Sequence, residues 1–412
     1  MAEVEVPPAP PDSFRAWLSG LLSVTLLLLL ADGVLAVVAR GLFLAGLGRP
    51  LHAVTLPVFI LSFLAGTAVY TLMGFTNAIP KRIFVPLTLF STIVLLALLP
   101  VLIYHPAWLS AVLMGSALIQ IAVALAAWAW ARGGLSWGWP LVPKARLRPP
   151  GFSGGNLALF TVANLLFLAA TIGYLGLCAG MAVDHFSAHF LILHSDRLEV
   201  RAKTYVRDDG KTVTLLPMIH IGTDDFYRQV EALIPPSAII LREGVSDRRG
   251  LLARKLDYAQ AAQALGLSDQ RQSFTPPPER SRMADVDVSD FSPTTLAMID
   301  IVSEIYAEGW TPDAIPALRH GDGNPRLLDM LVDDLLVKRN AHVLSEMDRE
   351  LLTADQVALP WGVAHMPGLE AALRKEGFRL GETHTLSAIP LDSIFARLRE
   401  TVINSLTASQ EP

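Results

Sequence analysis

Three side chains that can carry acid–base or metal chemistry follow apolar, strand-like segments in the second half of the chain. They are His220, Glu243 and His365. Histidine is a general base near neutral pH and a common metal ligand, and a neighbouring carboxylate can tune it or share a metal with it. Taken singly, His220 also fits a hydrogen-bonded histidine at a strand end, and Glu243 fits a solvated loop acid. Their joint placement is what indicates a site.

The elements around these residues predict where they meet. The segment 214–220 has the pattern of a buried strand, 224–233 that of a short amphipathic helix, and 238–241 that of a second buried strand. Strand, helix and strand in this order form a βαβ unit with parallel strands. A third buried strand is predicted over 356–363. Since open α/β sheets bind ligands at the carboxyl ends of their strands, the sequence predicts one crevice there.

Two further segments supply charged side chains. Asp285, Asp287 and Asp290 lie in a predicted turn, where they would cap a helix that begins near Pro293, or hold a metal or an arginine. Arg339 lies in the middle of a long amphipathic helix predicted over 326–351. Its expected core face consists of five apolar residues: Leu328, Leu331, Leu335, Leu336 and Val343. A helix is also predicted over 251–265.

The first half of the chain has a different composition. The 412 residues are 52% hydrophobic and 17% charged, whereas a soluble domain carries about 25% charged residues. The apolar excess lies before Val183, in five stretches long enough to cross a bilayer. They are 16–38, 54–73, 83–104, 108–131 and 157–183.

Lysine and arginine in the short loops predict the orientation of these spans. With the N-terminus inside, the cytoplasmic segments hold Arg15, Lys81, Arg82, Arg132, Lys144, Arg146 and Arg148, and the opposite side holds fewer. Five spans then place the C-terminal domain outside the cytoplasm. Asp32 is the one acid well inside a span, which is thin support for transport, so anchoring is the expected role of the spans.

Charge and cysteine content exclude other classes. The net charge is −5 and the sequence has no basic run beside an aromatic platform, so nucleic acid is not an expected partner. The single cysteine, Cys178, allows neither an intrachain disulfide nor a thiolate metal cage.

The soluble half resembles the TraB/PrgY/GumN family, which includes the Tiki membrane-anchored proteases, within the erythromycin-esterase and ChaN-like superfamily. The matching segments, in order, are Met218-Ile219-His220-Ile221-Gly222, Leu241-Arg242-Glu243, Ala284-Asp285-Val286-Asp287-Val288, Lys338-Arg339-Asn340 and Trp361-Gly362-Val363-Ala364-His365-Met366-Pro367-Gly368-Leu369. The resemblance covers about half of the chain. There are two departures: Pro217 replaces the glycine of the first Gly-x-x-His motif, and Val286 stands where the family often has arginine.

The resemblance implies two hydrolytic schemes on the same residues. In the Tiki-like scheme His220, Glu243 and His365 bind a divalent metal (Mn, Co or Zn), Asp285 is a further ligand or base, and Arg339 steadies an oxyanion or holds Glu243. In the esterase-like scheme a histidine is the general base without a metal. A third possibility is a module that binds a peptide or pheromone. The metal-assisted peptidase is the preferred expectation.

The sequence therefore predicts an α-helical membrane domain of about five transmembrane helices, followed by an α/β (α+β) soluble domain with a central mixed sheet. The expected boundaries are 1–15 for a disordered N-terminus, 16–185 for the membrane domain, 195–406 for the TraB/GumN-like domain and 407–412 for a disordered tail. The expected location is a bacterial inner membrane, with the C-terminal domain extracytoplasmic. The expected partners are the lipid bilayer and a peptide or protein substrate; the oligomeric state is left open.

Overall fold

The structure is a computed structural model that describes residues 12–47, 51–149, 151–253, 258–308 and 326–408. The chain divides into two compact units, Met1–Cys178 and Ala179–Pro412. Residues 1–11 and 409–412, which belong to the termini expected to be disordered, lie outside the described residues.

Five long apolar helices form the first unit, as predicted. Within the described residues they are α1 (Asp12–Leu44), α2 (His52–Phe75), α3 (Lys81–Tyr104), α4 (Leu109–Arg132) and α5 (Gly154–Phe186). Each is long and apolar enough to cross a bilayer. Large apolar side chains on α5 stay exposed, such as Leu159 (67%) and Leu166 (68%). Because water would make such a surface costly, these faces contact membrane lipid, and the chain is a membrane protein.

Two buried serines of α1 form hydrogen bonds with the backbone of the loop that follows α4. The hydroxyl of Ser19 donates to the carbonyl of Val142 at 2.6 Å, and the amide of Val142 donates to the hydroxyl of Ser23 at 3.0 Å. These bonds tie the loop after α4 to α1. They meet the requirement that backbone groups away from water find a protein partner.

A mixed sheet of seven strands organises the described part of the second unit, which confirms the predicted fold class. In chain order the strands are β1 (Leu191–Leu193), β2 (Arg197–Val206), β3 (Thr212–Met218), β5 (Ile239–Arg242), β7 (Ser281–Met283), β8 (Gln356–Gly362) and β9 (Arg379–Pro390). Their order across the sheet is β1-β2-β3-β8-β5-β7, and β9 also pairs with β2. A separate antiparallel pair joins β4 (Ile221–Gly222) to β6 (Ser268–Asp269).

The parallel core of the sheet contains a strand that chain order alone does not predict. β3 and β5 both run parallel to β8, which lies between them. The βαβ unit around the first two buried strands is thus parallel as predicted, but its strands are not neighbours. The carboxyl ends of β3, β8 and β5 still meet at one edge of the sheet. On the antiparallel side, β2 and β3 form a hairpin, and its turn contains Asp209-Gly210, a common hairpin sequence; Gly210 has a φ of +83° there.

Helices cover both faces of the sheet in the described residues. They are α6 (Asp224–Ala232), α7 (Ala259–Leu265), α8 (Gln270–Ser273), α9 (Pro293–Glu308), α10 (Leu327–Val332), α11 (Lys338–Glu350), α12 (Met366–Lys375) and α13 (Leu391–Ala408). On one face Val343 and Met347 of α11 pack against Leu215, Leu359 and Trp361. On the other, Phe226 and Val230 of α6 pack against Leu216 and Met218. Because both faces are buried, β3 and β8 contain continuous apolar runs, residues 215–218 and 357–361.

Three local predictions need correction. The helix expected over 251–265 begins at Ala259 in the described residues, and residues 251–253 are not helical; 254–257 lie outside the description. Leu328, assigned to the core face, is 72% exposed. The long helix is interrupted by a π-helical turn at Asp333–Val337, which ends two residues before Arg339. This extra residue per turn rotates the residues on either side relative to a regular helix, so a single 3.6-residue period cannot describe both.

Candidate active site

Glu243 and Gly362 lie next to each other because β5 and β8 are parallel neighbours that end at the same edge. Glu243 follows β5 directly, and Gly362 is the last residue of β8. The amide of Gly362 donates a hydrogen bond to the Glu243 carboxylate. A Cβ atom on Gly362 would lie 3.1 Å from Oε2 of Glu243, so the close approach favours glycine here. The strand-end prediction therefore placed this carboxylate correctly.

Arg339 joins Glu243 to Asp285 in a buried ionic triad. Its Nη2 donates to Oε1 of Glu243 at 2.6 Å and to Oδ2 of Asp285 at 2.7 Å, and its Nε donates to Oδ1 of Asp285 at 3.0 Å. The Asp285 side chain is fully buried, and the other two are 12% and 15% exposed. The guanidinium also lies 5.5 Å from the ring centre of Trp361. The two-pronged contact with Asp285 uses the planar fork that only arginine provides.

Asp285 thus binds an arginine, which is one of the roles left open for the acidic cluster. Backbone amides supply its remaining hydrogen bonds. It accepts hydrogen bonds from the amides of Gly244 (2.9 Å) and Val286 (2.8 Å). Capping of α9, another role left open for the cluster, falls to Ser292, whose hydroxyl accepts from the amide of Thr295 at 3.2 Å. Asp287 instead accepts from the Ser246 hydroxyl at 2.7 Å and stabilises the neighbouring turn.

His365 is buried in the turn after β8 and held by the residue that follows Arg339. Its Nδ1 lies 2.7 Å from Oδ1 of Asn340, and its Nε2 lies 3.6 Å from Oε1 of Glu243. Asn340 donates through Nδ2 to the carbonyl of His365 at 3.5 Å, which turns the amide oxygen toward the ring. An amide oxygen only accepts, so we assign the proton of neutral His365 to Nδ1. Nε2 is then the basic nitrogen.

One cleft contains four of the five predicted site residues. Its volume is about 560 Å³, and His220, Glu243, Arg339 and His365 all line it. Asp285 lies behind Arg339, out of contact with solvent. Apolar residues of α10 and the π-helical turn form one wall, including Leu331, Val332, Leu335 and Leu336.

His220 lies at the rim of this cleft with partners of its own. It is exposed, its ring stacks on Tyr258 at 4.5 Å between centres, and its Nδ1 lies 3.2 Å from Oε1 of Gln270. The amide of Gln270 also donates to the carbonyl of His220 at 3.0 Å. The structure therefore brings Glu243, His365, Arg339 and Asp285 into one hydrogen-bonded and ionic cluster and leaves His220 beside it.

The described residues contain no group of three or more His, Cys, Asp or Glu side chains placed to hold a metal ion. Both oxygens of Glu243 already accept hydrogen bonds, and the oxygen nearest His365 is in contact with the Arg339 guanidinium. The positive charge of Arg339 would repel a metal ion bound to the same oxygen. In this arrangement the residues do not fit a three-ligand centre, and ligation by His220, Glu243 and His365 stays a prediction.

Burial and neighbouring groups act in opposite directions on Glu243. Burial raises its pKa, but the contact with His365, the charge of Arg339 and the amide of Gly362 together lower it to about 2. The pKa of Arg339 is raised by its two carboxylates against the effect of burial. The pair is therefore ionised at neutral pH.

Because folding lowers this pKa, Glu243 stabilises the folded state above its unfolded pKa of 4.5, and this contribution disappears as the pH falls toward 2. At about 1.4 kcal/mol per pH unit it amounts to about 3 kcal/mol. We expect Glu243→Gln to lower the melting temperature strongly at pH 6 and only slightly near pH 2. Melting curves of the two proteins across this range check the prediction, and a gap independent of pH would contradict it.

Several contributors were missed as site residues. Asn340 belongs to the Lys338-Arg339-Asn340 motif, and its position next to Arg339 on a helix is the signal in the sequence. The backbone amide of Gly362 and the stacking of Tyr258 on His220 carry no signal in the sequence, since both depend on the tertiary fold. No protein-family model, curated protein or solved structure matches the chain.

Proposed function

We propose that the soluble unit is a hydrolase of the TraB/PrgY/GumN type that uses His365 as its general base. One observation carries the proposal: Asn340 fixes the His365 ring so that its basic Nε2 lies beside Glu243 in the wall of a cleft. A base oriented by a third group is a recurring feature of hydrolytic sites. The order of the family motifs along the chain supports the same assignment.

The chemistry follows from these contacts. Nε2 of His365 takes a proton from a water molecule as the water oxygen bonds to an acyl carbon. The resulting imidazolium is stabilised by Glu243, 3.6 Å away. The tetrahedral intermediate then breaks its bond to the leaving group, which takes the proton back from Nε2. An ester gives an acid and an alcohol, and an amide gives an acid and an amine. Arg339 holds Glu243 in place throughout.

The cleft favours a substrate with an apolar group next to the scissile bond. Leu331, Val332, Leu335 and Leu336 form the wall opposite the polar residues. Glu243, Asp285 and Arg339 together carry one net negative charge, which disfavours an anionic group at the same place. Acyl esters and peptides with apolar side chains meet both conditions.

Metal-assisted peptide hydrolysis is the second candidate, and one distance favours it. Nε2 of His365 and Oε1 of Glu243 are 3.6 Å apart on the same cleft, a separation that two ligands of one ion can adopt once Arg339 releases Oε1. A divalent ion there would supply Lewis acidity to a substrate carbonyl. Peptide or pheromone binding without hydrolysis is the non-enzymatic alternative.

The five spans support a location in a membrane, and we assign them to a bacterial inner membrane with the soluble unit outside the cytoplasm. This orientation is supported by the excess of lysine and arginine in the loops on the same face of the membrane as the N-terminus. These include Lys144, Arg146 and Arg148 before α5.

The test uses the full chain purified in detergent without chelator. Its substrates are p-nitrophenyl acetate, p-nitrophenyl hexanoate and fluorogenic peptides, each measured with and without EDTA, and bound metal is measured by elemental analysis. We expect hydrolysis of the hexanoate ester to exceed that of the acetate ester by at least tenfold and to survive EDTA.

Two outcomes would overturn this scheme. Loss of activity in EDTA with recovery on adding manganese, cobalt or zinc would favour the metal-assisted candidate. In that case His220→Ala and His365→Ala should each lose the bound metal. If the folded protein hydrolyses none of these esters and peptides, the hydrolase proposal is contradicted, and peptide or pheromone binding is the remaining candidate function.

A further inference from the structure

A second cavity lies within the membrane unit and has an acidic side chain in its wall. Its volume is about 520 Å³, and all of α1, α2, α3 and α4 contribute to it. Asp32 and Arg40 of α1 and Gln120 of α4 line it, and the other lining residues are mostly apolar, such as Phe59 and Val94. Three hydroxyl residues also line it: Thr55, Ser91 and Ser116. The size falls within the range of about 300–1,000 Å³ that holds small ligands.

The cavity runs from the middle of α4, its deep end, toward the first turn of that helix, its shallow end. Asp32 accepts a hydrogen bond from Gln120 at 2.9 Å, and Gln120 is the twelfth of the 24 residues of α4. Arg40 donates to the hydroxyl of Ser110 at 3.0 Å, in the first turn of the same helix. Ten helical residues separate Ser110 from Gln120, so the two ends of the cavity differ in depth by about 15 Å.

The deep end of the cavity, at Asp32 and Gln120, offers hydrogen-bond acceptors. Nε2 of Gln120 donates both to Asp32 and to the carbonyl of Leu29 at 2.9 Å, so its amide oxygen stays an acceptor. The hydroxyl of Ser116, one turn earlier on α4, donates to the carbonyl of Leu113, so its oxygen can act as an acceptor. In the described part of the chain no basic side chain pairs with Asp32. A carboxyl group in this medium is stable when neutral or when a cation joins it.

The packing of α1 on α4 fixes this arrangement. A Cβ atom on Gly33 would lie 2.9 Å from Cγ1 of Ile121 and 3.3 Å from the carbonyl oxygen of Ala117. The two helices therefore touch directly beside Asp32, as small residues allow in membrane bundles. Asp32 and Gln120 are held opposite each other by this contact and are positioned before any ligand arrives.

We propose that this cavity binds a lipophilic primary amine, with the ammonium group on Asp32 and the apolar chain along the cavity toward Arg40. An ammonium group supplies three donors and one positive charge, which complements the acceptors at the deep end. A hard metal ion needs about six oxygen ligands, more than Asp32, Gln120 and Ser116 together offer at the deep end. Arg40 places a positive charge at the shallow end and directs a cationic head away from it.

The experiment measures equilibrium binding of radiolabelled decylamine and of decanol, its neutral counterpart, to the full chain in nanodiscs at pH 7. In wild-type protein we expect one saturable amine site per chain with at least tenfold tighter binding than decanol. Asp32→Asn should weaken amine binding at least tenfold and leave decanol binding unchanged. Asp184→Asn, on α5 and outside the cavity lining, should change neither.

Equal affinities for amine and alcohol in wild-type protein, or equal amine binding by wild type and Asp32→Asn, would overturn the proposal and indicate an apolar occupant such as a lipid chain. A second variant separates the cavity from adsorption to the bilayer. Ala36→Trp should fill the cavity, since Ala36 lines it, and abolish saturable binding of amine and alcohol alike. Binding that survives Ala36→Trp would place the amine elsewhere and also contradict the proposal.

Discussion

Replacing Arg339 with methionine is expected to destabilise the soluble unit by about 3–5 kcal/mol, because the change leaves two buried carboxylates without a cation. Asp285 is fully buried and Glu243 is 15% exposed, so water cannot replace the guanidinium. Methionine keeps most of the side-chain volume, which separates the loss of charge from a cavity effect. The expected result is amide exchange in β8 that is faster by more than about 100-fold, measured by hydrogen–deuterium exchange and mass spectrometry on the full chain.

The same helix offers a matched control. Arg349 donates to Glu346 at 2.7 Å, the same length as the Arg339–Asp285 bond, but the Arg349 side chain is 66% exposed. An exposed pair one helical turn apart contributes about 0.5 kcal/mol or less. Arg349→Met should therefore leave β8 exchange within about threefold of wild type. Similar effects of the two substitutions would mean that the triad adds no more stability than a surface ion pair.

Part of the site follows from local rules of strand direction. Glu243 and His365 were placed by the strand-end argument, which needs only the direction of each strand. Although β8 lies between β3 and β5, all three strands are parallel and end at the same edge, so the residues that follow them meet there. His220 reaches the same cleft, yet its partners Gln270 and Tyr258 depend on how a later segment folds back.

Pairings across long sequence separations are what the sequence could not supply. Arg339 bonds to Glu243 across 96 residues, and Gln120 bonds to Asp32 across 88. Periodicity places each residue on a face of its own element but does not specify the neighbouring element. The π-helical turn before Arg339 also depends on a contact between residues far apart in the sequence. Its buried residue Asp334 accepts a hydrogen bond from the Thr295 hydroxyl of α9 at 2.6 Å.

The second large effect is expected on kcat when His365 is replaced with alanine. If its Nε2 is the base that activates water, His365→Ala should lower kcat for p-nitrophenyl hexanoate by about 10²–10⁴-fold, the usual contribution of a general base. KM should change little, because the apolar wall of Leu331, Leu335 and Leu336 that would hold the acyl group is retained. Steady-state kinetics of the full chain in detergent measures both parameters. His384→Ala is the matched control, since His384 pairs with Glu382 on an exposed strand and should leave kcat unchanged.

Asn340 provides the test that distinguishes a base from a merely structural histidine. Asn340→Asp keeps an oxygen acceptor for Nδ1, whereas Asn340→Leu removes it and frees the ring to adopt the other tautomer. If orientation of His365 matters, the aspartate variant should retain kcat within about tenfold and the leucine variant should approach His365→Ala, with KM similar in both. Equal loss in the two variants would show that Asn340 acts through packing. An unchanged kcat in His365→Ala would remove His365 from the reaction and leave Glu243 as the base to consider.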